Sequence, residues 1–274
     1  MKKQSIVSAL ILAGIAAAAP AFAGIHYKSV TTTQDARGKG TDVRVEGWVA
    51  GPSSRVEFKA SENPLFKEGG YLITKDAGET IFLVDPEEKT YAKWDLRATL
   101  GAAGAIMNGM GPLLKLEFTE PKVEKLLDEE GPAVVGLPTR HLRFRTTYTL
   151  KMKVMGMGNE SAVVSEEDIW VTDRLQDAAL ALWLRTDPPQ TGNEQLDKLI
   201  SSGRERFTGF PLKTVIVSTS TNKKNNKATT TRTTMEVTEL DTAADVPASS
   251  FAIPAGYEQV ESPLPMMPQG GRER

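Results

Sequence analysis

The chain has no cysteine and two histidines, His26 and His141, among 274 residues. Without cysteine there is no disulfide framework, thiolate zinc site, iron–sulfur cluster, cysteine nucleophile or lipidated cysteine. Two histidines cannot supply a three-histidine metal site within one chain. An excess of one charge is also lacking: 33 Lys and Arg stand against 35 Asp and Glu. That balance argues against a general nucleic-acid binder, which presents a basic face. Catalytic signatures are missing as well. The sequence holds no Gly-x-Ser-x-Gly elbow, no phosphate-cradling Gly-Lys-Ser or Gly-Lys-Thr loop, no His-Glu-x-x-His and no calcium loop. The acidic runs Asp128-Glu129-Glu130 and Glu166-Glu167-Asp168 read as solvated turns. Paired carboxylates for glycoside hydrolysis need no local motif and stay open. The chain nominates no catalytic residue, no cofactor and no metal ligand, and it is not expected to be an enzyme.

What is present begins with an export signal. Lys2 and Lys3 precede an uncharged apolar run, Ile6–Ala19, and Pro20 and Ala21-Phe22-Ala23 follow it. That is the charged–apolar–small-x-small order that signal peptidase reads, and the run is short for a membrane anchor. Residues 1–23 are expected to be removed after Ala23, taking two lysines and leaving a chain from Gly24. The expected product is periplasmic or secreted, with no transmembrane anchor after cleavage.

From Ile25 onward the pattern is antiparallel β. Runs at His26–Thr33, Asp42–Ala50, Arg55–Ala60, Tyr71–Lys75, Thr80–Val84 and Thr90–Trp94 are separated by Gly, Pro, Asp and Asn clusters. Those residues favour turns, and strands so spaced without intervening helices form hairpins and meanders. A second block gives strands at Leu114–Thr119, Lys122–Leu127, Thr139–Met155 and Ser161–Val171. In its longest strand, Leu142, Phe144, Thr146, Tyr148 and Leu150 fall on one side and Arg143, Arg145 and Lys151 on the other. A strand of that length curls around a barrel or half-barrel. A third block pairs Leu212–Thr221 with Lys227–Leu240.

Two helices are expected between the last two blocks. Asp173 caps Arg174–Arg185, and Thr191 with Glu194 has capping-box spacing ahead of the stripe Leu196, Leu199, Ile200, Gly203, Phe207. Residues 24–261 are read as one domain and the Pro/Gly-rich 262–274 as a disordered tail.

Ala98–Leu114 carries no charge and four glycines, so it reads either as an irregular core segment or as a Gly-hinged, Met-lined lid over an apolar groove. Methionine recurs at Met152, Met155 and Met157. Thioethers are soft copper(I) ligands, but alternation separates Met152 from Met155, so flexible apolar lining is the preferred reading.

Three stretches together carry a resemblance: Gly70–Trp94, a strand–turn–strand–turn–strand unit with Asp85-Pro86 and Tyr91; Val134–Arg145, a Gly-x-Pro-Thr turn entering a long strand; and Asp245–Val260, which is similar to a closing strand. The order of elements resembles the exported bacterial lipoprotein-carrier superfamily of LolA/LolB and LppX-like half-barrels. The resemblance implies an α+β, mainly antiparallel fold: a curved half-barrel sheet wrapped around a few helices, with an apolar cavity for acyl chains. It implies a non-enzymatic carrier or chaperone of a lipid, lipoprotein or other amphipathic ligand, an acylated protein among the candidates. Candidate lining residues are Leu83, Tyr91, Trp94, Ile106, Met107, Met110, Leu113, Phe144 and Tyr148. The alternatives are an envelope protein-interaction module with a filled core and a methionine-based copper binder.

Overall fold

The computed structural model describes residues 22–62, 66–76, 78, 80–95, 98, 101, 114–119, 121–154, 157–175, 194, 197, 198, 201 and 208–261. Thirteen strands form one sheet: β1 (Phe22–Gln34), β2 (Gly40–Ala50), β3 (Ser53–Ala60), β4 (Tyr71–Thr74), β5 (Thr80–Asp85), β6 (Thr90–Asp95), β7 (Leu114–Phe118), β8 (Lys122–Val134), β9 (Leu137–Val154), β10 (Met157–Thr172), β11 (Phe210–Asn222), β12 (Ala228–Val246) and β13 (Glu258–Val260). Their order is β13-β6-β5-β4-β3-β2-β1-β12-β11-β10-β9-β7, with β8 also paired to β9. The path does not return on itself, so the sheet is open, and it is curved. All pairings are antiparallel except that of β13 with β6.

The turns expected from Gly, Pro and Asp close most of these hairpins. Asp76 Oδ1 accepts from Thr80 N at 2.9 Å in the β4–β5 turn, and Asp85 Oδ1 accepts from the Glu87 and Glu88 amides at 3.1 Å. Two expected elements differ. β8 continues past Leu127 through Gly131-Pro132, because register shifts between Lys125 and Leu127 and between Gly131 and Val134 absorb the extra residues; an edge strand tolerates a proline at a bulge. Asp245–Val260 is not one closing strand. It comprises the end of β12, a 3-10 turn at Ala248–Phe251 and β13; Pro247 precedes the 3-10 turn and Pro254 the last strand, and neither can extend a ladder. The strand β1 begins at Phe22, which pairs with Val246, two residues before the expected mature start at Gly24. Of the expected Arg174–Arg185 helix, Arg174 and Leu175 are described and are not helical, and the rest lies outside the described residues, as does most of the helix beginning near Glu194, although Glu194, Asp197, Lys198 and Ser201 are helical and the i,i+4 pair Glu194–Lys198 meets at 3.1 Å.

Register divides the sheet into two chemically distinct faces, since directly paired residues share a side and successive residues point to opposite sides. One face is dry. It presents Ile25, Tyr27, Val49, Val56, Phe58, Ile81, Leu142, Phe144, Ile169, Leu212 and Val237, each at most 8% exposed. Glu167 is the charged residue that pairing sets on this side within β10, between Phe144 and Ile216. The other face is charged around Trp48 and Trp170 and carries a separate apolar cluster of Tyr71, Ile73, Val84, Val246 and Phe251. Two rows on it repeat one chemical order. Across β3, β2 and β1, Arg55 lies opposite Trp48 and Trp48 opposite His26; across β11, β10 and β9, Lys213 lies opposite Trp170 and Trp170 opposite His141. Both histidines stack on their tryptophan, with centroids at 5.2 and 4.4 Å. Both donate from Nε2 to a carboxylate two residues before that tryptophan, Glu46 at 2.8 Å and Asp168 at 2.7 Å.

Candidate functional site

The five described candidates do not form one cluster. Leu83 in β5 and Trp94 in β6 share the dry face through the pairs Leu83–Ala92 and Ile81–Trp94. Phe144 and Tyr148 in β9 share the same face through Glu167 and Val163. Seven strands separate β5 from β9, which at ~4.8 Å per step puts the two wings ~38 Å apart along the sheet. Tyr91 is on the opposite side. It pairs with Val84, meets Phe82 edge-on at 6.2 Å and packs on the apolar cluster of Tyr71, Ile73, Val246 and Phe251. Tyr91 and Trp94 stand three apart in one strand, and a period of two alone sends them to opposite faces. Ile106, Met107, Met110 and Leu113 lie outside the described residues, as does nearly all of Ala98–Leu114.

The first wing contains a pocket of about 230 Å³. Phe58, Leu83, Ala92 and Val260 lie along it, and Phe66 forms a wall. Phe66 stacks on Phe58 at 5.1 Å and leans on Trp94 at 6.5 Å. A Lys67–Asp85 ion pair at 3.1 Å closes the rim, and the Lys67 hydrogen bond raises its own ammonium pKa. Its walls are mostly apolar and its rim is charged. Phe58 was legible from its alternation with Val56; Phe66, in a short loop, carries no periodic signal. In the second wing the aromatic rings of two strands meet. Phe118 lies 6.4 Å from Tyr148, and burial raises the Tyr148 phenol pKa.

Met152 and Met157 are 39% and 76% exposed, and Met155 lies outside the described residues. Among the described residues no three His, Asp or Glu side chains gather in a way that could hold a metal ion.

A domain of unknown function, DUF4412, matches residues 121–257, half of the chain. The chain belongs to the DUF4412 family. In this DUF4412 protein the match begins one residue before β8, runs through β9 to β12 and takes in the 3-10 turn. It therefore contains the second wing, the His141–Trp170–Lys213 row and the strand that pairs back to β1. No curated protein matches the chain. Solved structures similar to it include an uncharacterized conserved protein from Thermus thermophilus, at 9% identity and TM-score 0.34, covering 86% of this chain and 90% of that one. A LolA superfamily protein from Nitrosomonas europaea is similar at 10% identity and TM-score 0.30, covering 84% and 90%. A DUF1329 family protein from Desulfovibrio piger is similar at 7% identity and TM-score 0.32, also covering 84% and 90%.

Proposed function

We propose that the protein is an exported, non-enzymatic carrier that holds an amphipathic ligand against the dry face of its sheet. In this reading residues 1–23 direct export and are removed, and 24–261 form one domain. Leu83 and Trp94 line one wing of the groove and Phe144 and Tyr148 the other; Ile106, Met107, Met110 and Leu113 cover it. The observation that carries the reading is the segregation of the two faces of one open sheet. Ion pairs gather around the Trp48 and Trp170 rows of one side, which also holds the apolar cluster of Tyr71, Ile73, Val84 and Val246, while the Leu212 side carries a buried apolar stripe across strands from both halves of the chain, interrupted by Glu167 and by the Lys125–Asp128 pair. A solvated enzyme cleft needs no such face, whereas hydrocarbon does. Each methylene removed from water contributes ~0.8 kcal/mol, so a fourteen-carbon chain gains on the order of 10 kcal/mol before ordering costs. No transmembrane anchoring is required of the described residues, none of whose helices is long and apolar enough to cross a membrane.

One observation favours a second reading, a protein-interaction module with a filled core: the eleven dry-face residues named above are each at most 8% exposed, so much of that face is already covered. Native mass spectrometry of protein purified from its own envelope separates the two. A carrier arrives with an added mass that denaturation releases and binds a fluorescent fatty acid saturably. A filled module arrives bare and does not bind it.

A further inference from the structure

The sheet ends in two neighbouring hairpin tips that ligand carriage does not use. The β9–β10 hairpin projects farthest: β11 ends at Asn222, opposite Ser161, while β10 begins four residues further out at Met157. The β11–β12 turn is tied to its flank. The Lys223 amide donates to the Glu160 carbonyl at 2.8 Å, Lys223 Nζ meets Glu160 Oε1 at 2.5 Å, and Asn222 Nδ2 donates to Asn159 Oδ1 at 2.7 Å. Across β7, β9, β10 and the β11–β12 turn runs a cleft of about 510 Å³ lined by Lys151, Lys153, Lys223 and Lys224, with Glu117, Glu160 and Met152.

Charge and apolar exposure coincide there. Lys151, Lys153, Lys223, Lys224 and Lys227 stand against Glu117 and Glu160, a formal +3 on a chain whose total is −2. Met157, at 76%, is the most exposed of the large hydrophobic side chains described, and Met152 is 39% exposed. Register puts both thioethers on one side of the hairpin, Met157 opposite Val154 and Met152 two residues along, and puts Lys151 and Lys153 on the other side, so the tip is apolar on one side and basic on the other. Lysine ammoniums on long apolar stems around flexible, uncharged side chains match a surface that is anionic outside and hydrocarbon beneath. Nucleic acid makes no use of exposed thioethers, and a helical protein segment needs an apolar groove, whereas lysines dominate this one.

We propose that the paired β9–β10 and β11–β12 tips dock the protein on an anionic phospholipid bilayer, with the lysines at the phosphate level and Met157 entering the interface. The docking does not depend on ligand carriage, because the empty protein presents the same tips.

The test is co-sedimentation of the full chain, freed of ligand, with phosphatidylcholine vesicles and with mixed phosphatidylcholine–phosphatidylglycerol vesicles at low and high salt. Binding to the mixed vesicles alone, weakened by salt, is expected. Lys151→Ser, Lys153→Ser and Lys224→Ser together lower that affinity about a hundredfold, near fivefold each. The control pair Lys28→Ser and Lys93→Ser, elsewhere on the charged face, moves it much less. Circular dichroism establishes that each variant is folded. Independently, Met157→Trp gives an emission that shifts to the blue on mixed vesicles and is quenched by brominated acyl chains. Equal binding to both vesicle types, no binding to either, loss in the control pair equal to that in the tip triple, or an unshifted emission from the Met157→Trp variant overturns the proposal. So does a protein that ignores vesicles and binds polyglutamate or DNA.

Discussion

Gly47 and Tyr27 offer the sharpest check on the dry face. They are directly paired across β1 and β2, and a methyl group built on Gly47 would lie 2.3 Å from two carbons of the Tyr27 ring and 2.6 Å from its hydroxyl. The ring is 6% exposed and packed with Ile25, Val49 and Leu212, so it cannot swing away freely. Overpacking of this kind costs ~1–3 kcal/mol. Alanine recovers ~0.5–1 kcal/mol of strand entropy that glycine forfeits, leaving a net loss of ~1–2 kcal/mol. At this chain length that lowers Tm by ~2–8 °C. Urea unfolding of Gly47→Ala, alone and with Tyr27→Leu, closes a double-mutant cycle. The cost of Gly47→Ala should fall close to zero once the ring is gone, a coupling of ~1–2 kcal/mol. An unchanged cost in the Tyr27→Leu background would falsify the claim that the ring lies flat over Gly47 and hence the register of the two strands.

Three further outcomes follow from the same geometry. The two repeated rows should behave alike: cycles of His26→Ala with Trp48→Ala and of His141→Ala with Trp170→Ala should each give a coupling of ~0.5–1.5 kcal/mol, and a coupling in one row alone contradicts their equivalence. Gly209, at φ +100° with a methyl position 2.7 Å from the Thr172 carbonyl oxygen, should lose more than ~1 kcal/mol on substitution by alanine, read as a lowered urea midpoint. The Glu46 carboxyl is held below its ordinary range by the Lys59 hydrogen bond, with burial opposing and His26 assisting. A depressed folded pKa contributes stability that is present above the unfolded value and lost as pH falls through the folded one. Glu46→Gln should therefore be less stable than the parent at neutral pH and equal to it in acid; a stability gap that persists below the carboxylate range contradicts the pairing.

Most strands could be read from the sequence because each is a local pattern. Thr90–Trp94, for example, alternates between a Glu-rich turn and the segment that follows, and the structure moves its end by one residue. The order of strands could not. That β1 lies beside β12 depends on Thr33 meeting Thr233 some two hundred residues away, and nothing local marks either as the other's neighbour. The acidic runs Asp128-Glu129-Glu130 and Glu166-Glu167-Asp168 read as solvated turns, yet both lie inside strands, β8 and β10, where their side chains meet Lys125 in the same strand and Arg140, His141, Arg143 and Arg145 across the ladder. The site was legible in chemistry and less so in position. Leu83, Trp94, Phe144 and Tyr148 share a face, yet on different wings, and the Tyr91–Trp94 spacing already placed those two on opposite sides. The repeated His–Trp rows leave no local signal, because the histidine and tryptophan of each row lie on different strands and only pairing brings them together.

The central claim is that the dry face holds a ligand. Native mass spectrometry of the protein drawn from its own envelope, followed by titration of the stripped protein with a fluorescent fatty acid, tests it most directly. The account predicts a mass above that of the chain beginning at Gly24, released on denaturation, and saturable binding that Leu83→Asp or Phe144→Asp weakens in folded variants. A bare mass together with no fatty-acid binding contradicts it.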